Sequence, residues 1–242
     1  MVSAVIVAAG SGSRMHANIP KPFLPLGKQI VLAYALQALQ TAPEIDEIIV
    51  VTRPEFLETV KDLKAKYNLS KLVPPVPGGA TRLASVRIGI QTCSPAAELL
   101  LVHDAARPCL TQELIQDCLT SARKFGSGVA AARAVDSLKS ADDDGIVKSS
   151  IDRSSVWIVQ TPQVFQAKLL RSAIDNVSDS DPTITDEASI AQACGIPVRL
   201  VENRLPNPKL TTPGDLPLLS ALLLHTDLYS PVSSNLDPQP GS

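Results

Sequence analysis

Residues 3–28 read SAVIVAAGSGSRMHANIPKPFLPLGK. The segment 3–9 is an apolar, β-branched run that stops at a glycine, the pattern of a strand buried on both faces of a parallel sheet. The residues that follow cannot form an uninterrupted helix. Pro20, Pro22 and Pro25 each lack a backbone donor and crowd the preceding turn. A buried strand emptying into a long glycine-bearing loop is the first half of an α/β unit. The loop is also cationic: its charged residues are Arg14, Lys21 and Lys28, and no acid precedes Glu44.

The rest of the chain repeats the alternation. Residues 29–40 are Leu/Ala-rich and predict a buried helix. EIIVVT (47–52) predicts a strand, and 54–67 a helix with its charges on one side. Residues 71–76 form a weak strand candidate broken by prolines. The pattern then predicts a helix over 80–92, a strand over 98–103 (ELLLVH), a helix over 111–124 capped by Thr111 and a strand over 129–135. Helices over 165–177, 186–194 and 214–224 and a short strand over 198–201 complete it. Strands alternating with helices give an α/β, Rossmann-like fold: a mostly parallel sheet with helices on both faces. Residues 136–160 break the rhythm, being polar around Trp157, and read as an excursion from one domain spanning 1–226. The Pro- and Ser-rich segment 227–242 reads as a disordered tail.

Composition narrows the function. A chain of 242 residues buries a sizeable core. A net charge of −2 argues against a nucleic-acid binder. One Trp, three Tyr and four Phe offer little for base stacking. Cys93, Cys109, Cys118 and Cys194 are scattered without a C-x-x-C pair, so neither a disulfide framework nor a zinc site is expected. No apolar run approaches the roughly 18–20 residues of a membrane span, and the N-terminal run lacks the basic flank of a signal peptide. A cytoplasmic protein with no membrane partner is expected.

In an open parallel sheet, ligands bind beyond the carboxyl ends of the strands. Four segments fall there: the opening loop, Gly78-Gly79-Ala80-Thr81-Arg82, HDAARP (103–108) and KLTTP (209–213). The opening loop is no Walker A motif, and Met15 stands where the third glycine of a dinucleotide fingerprint belongs. Glycines with three cations and no acid still point to a polyanion, phosphate above all. Asp104 suits a ribose hydroxyl or the neighbourhood of a metal, with Arg107 holding it; the plain alternative is a structural Asp–Arg pair closing a loop. Asp186 and Glu187 suit either a ligand role or the first turn of a helix capped by Thr185. Lys28 reads as a solvated lysine and Cys109 as an inert, small side chain.

Together and in order, AAGSGSRM (8–15), PKPFLPLG (20–27), PGGATRLASV (77–86), LVHDAARP (101–108), IDRSSVW (151–157), QTPQVF (160–165), TITDEAS (183–189) and KLTTPGDL (209–216) carry a resemblance. The chain resembles the bacterial 2-C-methyl-D-erythritol 4-phosphate cytidylyltransferases of the non-mevalonate isoprenoid pathway. The resemblance implies transfer of CMP from CTP to a sugar-alcohol phosphate, release of pyrophosphate, and Mg²⁺ held mainly by the CTP phosphates. It implies that Ala8, Ala9, Gly10, Ser11 and Gly12 line the nucleotide, with Gly78, Gly79 and Ser85 at the base and Asp104 and Ala105 beside them. Arg14, Lys21 and Lys209 are implied as the catalytic cations around the reacting α-phosphorus, and no side chain as a resident metal ligand. Asp104, Arg107, Ser137, Arg153, Thr161 and Thr185 are implied on the acceptor side. Ser137 replaces a usual threonine but keeps a hydroxyl, and Pro22 stiffens the loop after Lys21. Residues 136–160 are implied to be a β-arm crossing to a second subunit, so that a homodimer completes each site.

Two rivals stand beside this expectation. Ribitol-5-phosphate cytidylyltransferases share much of the motif set, the arm distinguishing the acceptor. A nucleotide sensor without catalysis would not need cations converging on one phosphorus.

Overall fold

The computed structural model describes residues 1–10, 19–179 and 181–224. Eleven strands are named in chain order: β1 (Val2–Val7), β2 (Pro25–Leu26), β3 (Gln29–Ile30), β4 (Glu47–Thr52), β5 (Val76–Pro77), β6 (Leu99–Asp104), β7 (Ser127–Arg133), β8 (Leu138–Ala141), β9 (Val147–Ile151), β10 (Trp157–Gln166) and β11 (Leu200–Glu202). The helices are α1 (Val31–Thr41), α2 (Leu57–Lys66), α3 (Arg82–Thr92), α4 (Gln112–Phe125), α5 (Ala167–Asp175), α6 (Glu187–Ala193) and α7 (Asp215–Leu224). Seven strands form one sheet in the order β11-β7-β10-β6-β1-β4-β5. β1 pairs in parallel with both β4 and β6, while β10 runs antiparallel between β6 and β7. The sheet is therefore mostly parallel, as expected.

Alternation along the central strands divides two cores. Ile6, Ile48, Val50 and Leu101 point to the face covered by α1, α2 and α4. Val5, Ile49, Val51, Leu100 and Val102 point to the face covered by α3, α5 and α6. The near-continuous apolar runs of these strands are the consequence of burial on both faces. A third, smaller cluster packs Leu219 and Leu223 of α7 on Leu26, Val31 and Leu210.

Local chemistry sets the helix ends. Thr111 accepts from the Leu114 N–H at 3.2 Å, and Arg123 and Lys124 occupy the last turn of α4. Gly126 closes that helix at φ +87°, a backbone region costly for any residue with a Cβ. α1 starts two residues later than expected, because Gln29 and Ile30 pair with Pro25 and Leu26 in a short hairpin. Residues 71–76 supply only a bridge at Leu72 ahead of β5.

The main departure is β10. Pro162 lacks the N–H that a central strand needs, and three glutamines hide the apolar run. The chain accommodates the proline with a shift of register between Val159 and Gln163. A ten-residue strand thus begins in the presumed excursion and carries the buried Val164 and Phe165 into the core before ending at the exposed Gln166. What remains of the excursion is the β8–β9 hairpin, whose β9 is exposed throughout. The proposed tail, 227–242, lies outside the described residues.

Candidate active site

The four strand-end segments converge on one cavity of about 430 Å³. Ala8, Ala9 and Gly10 continue from β1 along one wall. Gly79, Thr81, Arg82 and Ser85 come from the loop and first turn of α3, Asp104 from the end of β6, and Lys21 and Lys209 from the flanking loops. Among the described residues, three cations thus face the cavity with a single carboxylate.

Asp104 is the hub of this charge. Lys209 Nζ donates to its Oδ2 at 2.7 Å, Arg82 Nη2 to its Oδ1 at 3.3 Å, and Arg107 Nε lies 3.9 Å from Oδ2. Burial alone would raise the carboxyl's pKa; Arg82, Lys209 and Arg107 outweigh it and hold the group well below the usual carboxylate range. Behind Arg82 sits Glu187, fully buried, receiving the guanidinium on both oxygens at 2.8 and 3.2 Å. Burial pushes Glu187 up, with Arg82 pulling the other way.

β10 positions much of this. Gln163, buried, donates to Asp186 at 2.9 Å and accepts from the Ala188 N–H at 2.8 Å, which pins the start of α6 and hence Glu187. Asp186 caps α6 in a reciprocal box with Ser189, so the cap is Asp186 and not Thr185. Thr161 takes the Asp104 N–H at 3.1 Å and lies 3.0 Å from His103 Nδ1, while His103 Nε2 lies 3.0 Å from the Arg107 carbonyl. A carbonyl can only accept, so Nε2 carries the proton and Nδ1 accepts from the Thr161 hydroxyl.

That chain requires neutral imidazole, and burial pushes His103 down to about 4. A folded pKa below the unfolded value near 6.5 means the unfolded state binds the extra proton. Stability from this group is therefore full above pH ~6.5 and is lost as pH falls towards 4, by roughly 3 kcal/mol at most. Thermal melts from pH 7 to 4.5 are expected to fall more steeply for the wild type than for His103→Asn. Equal slopes would overturn the assignment.

Gly78 stands behind the wall. A Cβ there would lie 2.4 Å from Ala9 Cβ and 2.9 Å from Ser85 Oγ, so the bare backbone lets the two loops touch. Gly79 N–H donates to Ser85 Oγ at 3.1 Å. Ala105 is fully buried in the core, and its neighbour Ala106 lines the cavity instead. Arg107 reaches away from the cavity to the Asn207 carbonyl at 2.7 Å. Thr185 is exposed at the start of α6, and its carbonyl lies 3.5 Å from Arg82 Nη1. Ser137 and Arg153 are exposed at the arm, with Arg153 donating to the Val135 carbonyl. Trp157 packs beneath the Arg133 guanidinium at 4.2 Å. Arg14, Ser11 and Gly12 lie outside the described residues.

The sequence reading placed Arg82 only within a strand-end segment and left Glu187 between a ligand role and a first helical turn; it did not pair the two. One signal was present: Arg82 opens a helix, where the macrodipole disfavours a cation, so an acidic partner had to be supplied from elsewhere.

Fold and site define an α/β enzyme that gathers a phosphate-rich ligand at the carboxyl edge of its sheet. The chain belongs to the IspD family, 2-C-methyl-D-erythritol 4-phosphate cytidylyltransferase, whose sequence profile matches residues 2–225. It is 35% identical to the enzyme of that name from Syntrophus aciditrophicus over 92% of this chain and 95% of the relative. It is 37% identical to that from Trichormus variabilis, over 92% and 98%. The crystal structure of 4-diphosphocytidyl-2C-methyl-D-erythritol synthase from Anaerococcus prevotii superposes with TM-score 0.81 at 32% identity, covering 92% of this chain and 96% of that one. Membership makes this chain a nucleotidyltransferase acting by CTP-dependent cytidylyl transfer in the methylerythritol phosphate route to isoprenoids. The ribitol phosphate and sensor alternatives are not favoured.

Proposed function

We propose that the cavity holds CTP against 2-C-methyl-D-erythritol 4-phosphate, so that an acceptor phosphate oxygen attacks the α-phosphorus in line. A new P–O bond forms, the bond from the α-phosphorus to the bridging oxygen breaks, and pyrophosphate leaves with that electron pair. The nucleophile is already an anion and needs no general base. The obstacle is the approach of two polyanions, so catalysis is positioning and charge stabilisation. The observation that carries this reading is the excess of Lys21, Arg82 and Lys209 over Asp104 around one glycine-walled cavity.

Lys21 and Arg14 would meet the α-phosphoryl group, and Lys209 would exchange Asp104 for phosphate oxygen as the ligand enters. Ala8–Gly10, Gly79 and Ser85 would receive the nucleotide; Asp104, Arg107, Thr161 and Thr185 would order the acceptor side. Mg²⁺ belongs to this reading as an ion held mainly by CTP, lowering the phosphate charge when bound. Among the described residues no group of three His, Cys, Asp or Glu side chains could hold a metal. One cavity carboxylate is nevertheless the donor set that suits Mg²⁺ shared with substrate phosphates.

A homodimer is part of the reading. The arm and its base expose Val135, Ile146, Val147 and Ile151, and Ser137 and Arg153 ride there. Such a cluster suits a partner surface, and those two residues would complete the partner's acceptor site. Light scattering at the mass of one chain would overturn this. The four cysteines are free, which supports a cytoplasmic setting, and no described helix is long and apolar enough to cross a membrane.

The test is pyrophosphate release with each of four NTPs against methylerythritol phosphate and ribitol phosphate. Release with CTP, Mg²⁺ and methylerythritol phosphate is expected. Release confined to ribitol phosphate would overturn the acceptor, and none with any pair would overturn catalysis.

A further inference from the structure

The loop 209–213 joins the two cavity lysines. Lys209 opens it, bonded to Asp104, and its Thr211 carbonyl accepts from Lys21 Nζ at 2.5 Å. The loop is anchored at two points. Leu210 is fully buried and donates its N–H to the Ala106 carbonyl at 2.9 Å. Beyond it, Asp215 at the start of α7 accepts the Thr211 and Thr212 N–H groups on the same oxygen, Oδ2, each at 2.7 Å.

The Thr212 N–H and the Thr211 C=O belong to one peptide unit. A trans peptide is planar and points its N–H and C=O in opposite directions. Holding the N–H on Asp215 therefore aims the carbonyl away from Asp215 and towards Lys21. The unit then links a carboxylate to an ammonium, each polarising the peptide in the sense that strengthens the other's bond. The two backbone N–H groups hold the Asp215 carboxyl below its usual range, with a smaller contribution from the charge of Lys21.

We infer that Asp215 is a positioning residue for the transfer reaction, acting on Lys21 through the 211–212 peptide. It neither lines the cavity nor touches substrate. Its work is to fix the direction of the carbonyl that places the Lys21 ammonium before CTP arrives. The inference rests on the role given to Lys21 in the proposed function.

Asp215→Ala and Asp215→Asn separate the possibilities, because asparagine keeps a carbonyl oxygen able to accept both N–H groups. Turnover of Asp215→Ala is expected to fall by about tenfold, as small displacements at reacting centres do. KM for CTP and thermal stability should change little, and Asp215→Asn should recover most of the loss. In a Lys21→Ala background, Asp215→Ala should lower turnover by less than about twofold, the non-additivity of residues acting as one unit. Single-turnover pyrophosphate release over long incubations closes the same cycle where steady-state turnover of the Lys21→Ala chain is too slow to read. Turnover of Asp215→Ala close to that of the wild type would overturn the inference. So would equal effects in both backgrounds, or a fall in melting temperature that accounts for the lost activity. Full activity of Lys21→Ala itself would instead overturn the role of Lys21.

Discussion

Lys21→Ala is expected to lower turnover by about 10²–10³-fold, the size of losing one preorganised charge at a developing phosphoryl transition state. Its structural cost should be small. The side chain is only partly buried, and its bond to the Thr211 carbonyl is a charge-assisted contact near the surface. Removing such a contact costs about 1–2 kcal/mol. Pyrophosphate-release kinetics beside thermal melts would read both quantities. Loss of stability in proportion to activity would show Lys21 to be a fold residue, and the charge argument would fail.

Arg82→Ala is expected to be the most destabilising single change at the site. Glu187 is fully buried and both its oxygens rest on that guanidinium. Asp104 would retain Lys209 at 2.7 Å, but among the described residues no other cation lies within ion-pair distance of Glu187. Breaking a buried pair by removing one partner costs about 3–5 kcal/mol, since it strands the other charge. The loss should depend on pH in a defined sense. Without Arg82, burial raises the Glu187 pKa further; a raised folded pKa gives stability that is present at acid pH and lost as pH rises through it. Urea unfolding of Arg82→Ala should therefore approach wild type near the ordinary carboxylate range and fall away towards neutrality. Arg82→Ala combined with Glu187→Gln should recover part of the loss. A deficit that stays below about 1 kcal/mol at pH 7 would sink the argument.

These two changes divide the site by what each residue answers to. On the proposed function, Lys21 answers to the ligand. Arg82 answers to Glu187 and Asp104, and without it Glu187 loses its counterion while Asp104 keeps Lys209. The cavity is thus built from one set of charges that stays paired and another that can exchange partners when phosphate arrives.

The strands at the centre of the sheet were legible because burial on both faces writes a continuous apolar run. Residues 2–7, 47–52 and 99–104 could hardly be anything else. Helix ends were legible where capping is local, as at Thr111 and Gly126. The cap of α6 was misassigned by one residue because Thr185 and Asp186 are both good caps, and the choice falls to Gln163, which bonds Asp186 from another strand. β10 was illegible for a related reason. Pro162 contradicts a central strand unless the register shifts around it, and that shift depends on the neighbouring β7.

By itself the sequence determined an alternating α/β chain with glycine-bearing and cationic segments at the strand ends, among them Ala8–Gly10, Lys21, Asp104 and Lys209. Those features follow from local periodicity and residue chemistry, which are written along the chain. Only the tertiary structure decided that Asp104 lies between Arg82 and Lys209, that Glu187 closes the back of Arg82, and that Asp215 turns a carbonyl towards Lys21. Each of those joins segments that only the sheet order brings together, and an ion pair leaves no period in a sequence.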